Sequence, residues 1–62
     1  MPFTVRVYNG DAASILEALD AVEVQASEIK HTPFKTTIQV DSNEGDARNV
    51  LGQFGYDDYT EV

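Results

Sequence analysis

Gly10-Asp11-Ala12-Ala13-Ser14-Ile15-Leu16-Glu17-Ala18-Leu19 recurs thirty-five positions later as Gly45-Asp46-Ala47-Arg48-Asn49-Val50-Leu51-Gly52-Gln53-Phe54. Gly-Asp-Ala is identical in the two stretches. Behind it the apolar residues keep one spacing: Ala12, Ile15, Leu16 and Leu19 in the first, Ala47, Val50, Leu51 and Phe54 in the second. Apolar positions at i, i+3, i+4 and i+7 form one buried stripe on a helix. Ahead of each copy is an alternating pair, Phe3/Val5 and Ile38/Val40, the period of a half-buried strand. The chain therefore contains a strand–helix unit twice, in about residues 1–20 and 36–55 of a single domain spanning 1–62.

The intervening segments complete the pattern. Pro2–Asn9 reads as a strand, and Asp11 is placed to cap a helix to about Ala21 by accepting from first-turn N–H groups. Val22–Lys30 reads as a second strand. In it Val22, Val24 and Ala26 share a face and Ile29 falls out of phase, so a bulge or a bend is expected near Ser27-Glu28. His31-Thr32-Pro33 is a turn, since proline cannot donate to a strand ladder. Phe34, Thr36, Ile38 and Val40 alternate with polar residues in a third strand. Ser42 and Asn43, with Asp46, resemble a capping cluster. A helix follows over about Glu44–Phe54, ended by Gly55 in the left-handed conformation. Tyr56–Val62 makes a short last strand. The order βαββαβ in two related halves implies an α+β, ferredoxin-like two-layer sandwich. Its four-stranded antiparallel sheet carries both helices on one face, with strands 2–9 and 34–41 in the centre.

Composition bounds the rest. Sixty-two residues without cysteine exclude disulfide staples and thiolate metal sites, which points to a reducing compartment. A chain this short buries roughly 60% of its unfolded surface, for a stability on the order of 3–5 kcal/mol. No apolar run approaches the ~20 residues of a membrane span, and the Met-Pro-Phe-Thr-Val start is not that of a signal peptide. A cytoplasmic protein without membrane contact is expected. Eleven acidic residues against four basic give a net charge of −7. That balance opposes direct nucleic-acid binding and favours a protein partner with a basic surface.

Catalytic and metal-binding arrangements are not expected. His31 is the only histidine and falls in a turn, whereas a general base needs a partner and a pocket. Asp57 and Asp58, read as adjacent strand residues, point to opposite faces and do not share an ion. No cofactor is implied. The better candidate is the sheet face away from the helices, with Thr4, Arg6 and Tyr8 on the first strand and Lys35, Thr37 and Gln39 on the third. Arg6, Tyr8 and Tyr59 are the expected anchors of a partner contact, with Glu23, Asp57, Asp58 and Glu61 as a charged rim.

Three resemblances extend this reading. In element order, size and the Gly55-Tyr56 step into the last strand, the chain resembles ACT-type regulatory domains. That implies a homodimer binding an amino acid or similar metabolite at the loop Asn9, Gly10 and Asp11. The element order also resembles RNA-recognition domains, whose central strands carry paired aromatics; here only Tyr8 is placed that way. In size, acidity and lack of cysteine the chain is similar to phage- or plasmid-encoded inhibitors and accessory factors, anti-CRISPR proteins among them. That implies a non-catalytic protein in a host cytoplasm, occupying the nucleic-acid-binding surface of its partner.

Overall fold

The computed structural model describes residues 2–61. Six elements follow one another: β1 (Phe3–Tyr8), α1 (Asn9–Ala21), β2 (Ala26–His31), β3 (Lys35–Val40), α2 (Glu44–Gln53) and β4 (Tyr59–Glu61). The sheet order is β2-β3-β1-β4 and every neighbouring pair is antiparallel. This is the α+β, ferredoxin-like arrangement that the doubled unit implies.

Register explains the core. Phe3 lies opposite Val40, Val5 opposite Ile38 and Val7 opposite Thr36. Directly opposed residues share a face, so these six form one inward layer, and all six are buried. Ala12, Ile15 and Leu19 of α1 and Ala47, Val50 and Leu51 of α2 close over it. Among the described residues, Thr36 is the one buried polar residue. Its hydroxyl donates to Asn9 Oδ1 at 2.8 Å, which leaves its oxygen to accept from His31 Nδ1 at 3.2 Å.

The structure corrects several details. Asp11 does not cap α1. The helix starts at Asn9, and its N-cap is the extended backbone of Tyr8, with no side-chain bond. Asn43 is the N-cap residue of α2, but its side chain makes no cap bond: it sits at φ 51° and its amide donates to the Glu23 carbonyl at 2.8 Å. Ser42 instead accepts from the Gln25 N–H at 3.1 Å. β2 begins at Ala26, not Val22, because the preceding residues terminate α1. Glu23 takes φ 61°, its N–H reaches the Asp20 carbonyl, and the Val24 N–H reaches the Leu19 carbonyl. That is a Schellman turn with glutamate where glycine is usual. α2 ends the same way with Gly55 at φ 86°, its N–H on Gly52 and the Tyr56 N–H on Leu51. Phe34 lies outside β3 and is 79% exposed. β4 starts only at Tyr59, so Asp57 and Asp58 belong to its approach.

The expected bulge lies one step further on, where the register with β3 shifts between Glu28 and Lys30. A bulge re-aims the residues beyond it. Here Lys30 comes to lie opposite Thr37 and His31 opposite Thr36, which moves Lys30 to the face away from the helices.

Candidate functional site: a polarised surface

Both helices pack on one side of the sheet and leave the other uncovered. Three rows of opposed residues cross that open face. The first is Ser27, Gln39, Thr4 and Thr60; the second is Lys30, Thr37 and Arg6; the third is Lys35 and Tyr8. Three of the chain's four basic side chains thus fall in two adjacent rows. The Lys35 ammonium stands 5.0 Å from the centroid of the Tyr8 ring, a cation–π contact. Among the described residues, no carboxylate oxygen lies within 4.0 Å of Arg6, Lys30 or Lys35.

Two shallow hollows of about 380 and 400 Å³ share Arg6, Lys35 and Thr37. The first is bounded by Asp57 and Asp58. The second is bounded by Lys30, Thr32 and the exposed Phe34. Arg6, Asp57 and Asp58 line the first hollow; Tyr8 lies one row further, beside Lys35. Asp57 and Asp58 even line one hollow, because neither is yet in a strand that would point them apart. Tyr59 does not join them. Its register partner is Val5, so it faces the helices, with its ring 5.0 Å from that of Phe3. Arg48, the fourth basic residue, lies 5.3 Å from both rings. Burial pushes the Tyr59 hydroxyl above the ordinary tyrosine value, with nearby Arg48 acting against it and Asp57 with it.

Acidic residues collect at the opposite end of the strands. β1 begins there, β3 ends there, α1 ends there and α2 begins there. Asp20, Glu23, Asp41, Glu44, Asp46 and Glu61 all belong to this end: Glu61 lies opposite Phe3, and the Asp41 N–H bonds the Gln25 carbonyl. All except Glu44 are exposed. Glu23 and Glu61, expected beside the anchors on the open face, are thus part of a separate surface. The polarity comes from chain topology. Lys30 sits late in β2, Lys35 early in β3 and Arg6 in the second half of β1, and the six acids named flank the opposite ends of those strands.

The Asn9, Gly10 and Asp11 loop is taken into the first turn of α1. Its polar groups are engaged within the fold. The Asn9 amide donates to the Thr32 carbonyl at 2.9 Å and its oxygen accepts from Thr36. Asp11 accepts from the Tyr56 hydroxyl at 2.6 Å, and that hydroxyl accepts in turn from the Tyr8 N–H at 3.0 Å. Desolvation, reinforced by the bond to Asp11, holds the Tyr56 hydroxyl above its ordinary value. Among the described residues no three His, Asp or Glu side chains converge as a metal-ligand group, and no helix is long and apolar enough to cross a membrane.

Neither a family model, nor a curated protein, nor a solved structure matches this chain.

Proposed function

We propose that the protein is a non-catalytic binding module whose acidic end occupies the basic, nucleic-acid-binding surface of a partner protein, as an inhibitor or accessory factor. The observation that supports this reading is the separation of charge along the strands. Asp20, Glu23, Asp41, Asp46 and Glu61 are exposed around one end of the sheet, and the nearest basic side chain, Arg48, is held over the rings of Phe3 and Tyr59. Carboxylates spread over one end of the fold present the sign of a phosphate backbone. A cationic cleft on the partner would be steered to this end first.

Glu23 strengthens the reading. Its left-handed backbone is costly for a residue with a Cβ, and backbone strain concentrates at functional positions. The test is competition. A partner retained by the immobilised protein should be released by duplex DNA or heparin, in either order of addition. A retained partner that binds duplex DNA and this protein simultaneously and without mutual loss of affinity would refute the reading.

A further inference from the structure

The acidic end leaves the opposite, cationic region of the open face unexplained. We infer that this region is a binding site for a compact anion carrying a flat ring, the chemistry of a nucleoside monophosphate. The inference does not rest on the partner proposed above, because the two surfaces lie at opposite ends of the sheet.

Arg6 and Lys30 flank Thr37 in one row. Neighbouring strands are about 4.8 Å apart, so the two backbones stand about 10 Å apart with the Thr37 hydroxyl between them. Lys35 is two residues along the same strand as Thr37, about 7 Å away on the same face. Arg6, Lys30, Lys35 and Thr37 border one hollow, with the Lys35 ammonium over the Tyr8 ring at its edge. A phosphate there would accept charge-assisted bonds from a guanidinium and an ammonium, and one from a hydroxyl. None of these cations has a carboxylate oxygen within 4.0 Å, so they repel one another and an anion would relieve that repulsion. The Ile29 bulge is what brings Lys30 into the group: simple alternation from Glu28 would send it to the helix side.

The ring is assigned from Phe34. It is the most exposed large apolar residue of the described chain, at 79%, and it borders the 400 Å³ hollow that begins at the cations. That volume is within the usual range for small-molecule sites, and a planar base stacked on an exposed aromatic gains roughly 1–3 kcal/mol. Compactness is assigned from the borders. Asp57 and Asp58 bound the patch on the β4 side, and the acidic end lies beyond Gln39 and Thr4. A long polyanion leaving the patch would meet carboxylates; a monophosphate would not.

The test is an amide chemical-shift titration of the whole protein with adenosine monophosphate, with inorganic phosphate, adenosine and a single-stranded oligoadenylate as separate arms. Adenosine monophosphate should saturably shift Arg6, Lys30, Phe34 and Thr37, and phosphate should act more weakly on the same residues except Phe34. Arg6→Ala and Lys30→Ala should each weaken binding about tenfold, with spectra elsewhere unchanged. Phe34→Ala should weaken the nucleotide several-fold and leave phosphate unaffected. The inference is overturned by no saturable shift up to about 10 mM nucleotide, by undiminished affinity in both cation variants, or by an oligoadenylate that binds more tightly the longer it is. It is equally overturned if these amides respond to protein concentration and not to nucleotide, which would make a second copy's acidic end the occupant.

Discussion

The Tyr56 hydroxyl donates to the Asp11 carboxylate at 2.6 Å and accepts from the Tyr8 N–H at 3.0 Å. One phenol thereby joins the segment after α2 to the first turn of α1 and the last residue of β1. It holds the wall that carries Asp57 and Asp58 against the open face, and it explains why Asp11 is not a cap.

Tyr56→Phe should therefore destabilise the protein by about 1–2 kcal/mol: it removes a bond to a charged acceptor and leaves a backbone N–H without its partner. In a domain of this size that is a large fraction of the total. Urea unfolding followed by circular dichroism would show it as a lower midpoint at constant slope. An unchanged midpoint would mean that the phenol bridge contributes nothing.

Alkaline pH should act through the same group. The hydroxyls of Tyr56 and Tyr59 are both held above the ordinary value of 10.0 in the folded protein. The folded state then binds these protons more tightly than the unfolded state. The associated stability is complete below pH 10 and is lost as pH rises through the folded values. The melting temperature should fall as pH rises above 10, and the fall should be shallower in Tyr56→Phe. A parallel fall in both proteins would assign the effect elsewhere.

The fold was legible in the sequence because a repeated unit carries two periods at once, period two before Gly10 and Gly45 and period 3.6 after them. What it left obscure depended on which of several bonds a polar residue makes. Asp11, Ser42 and Asn43 all have the chemistry of caps, yet each is used by a distant partner: Tyr56, Gln25 and Glu23 respectively. The face of Tyr59 is not legible in the sequence because a three-residue strand carries no periodicity of its own. Its face follows from pairing with Val5. Of the candidate site, Arg6 and Tyr8 could be read from alternation in β1. Lys30 and Phe34 could not, since one depends on a bulge and the other on where β3 begins. The out-of-phase Ile29 was the only signal of the first, and its consequence for Lys30 emerges only from the register.

Glu23→Gly should stabilise the protein by about 0.5–1 kcal/mol, because glycine adopts the left-handed turn without a Cβ penalty. If this position is held by glutamate for its charge, the same variant should bind the partner more slowly. Thermal unfolding and association kinetics on one preparation would reveal both. A variant no more stable than the parent would show that the turn is unstrained.

The separation of charge is tested most directly by association kinetics with the DNA-displaceable partner across a salt series. Reversing Asp20, Glu23 and Glu61 to lysine should slow association by about tenfold or more at low salt and flatten its salt dependence, because the steering field at the contacting end is removed. Reversing Asp57 and Asp58, at the other end, should slow it less. Equal effects from the two sets would mean that only net charge matters, and an unchanged rate in the Asp20, Glu23 and Glu61 variant would contradict the assignment of the acidic end as the binding surface.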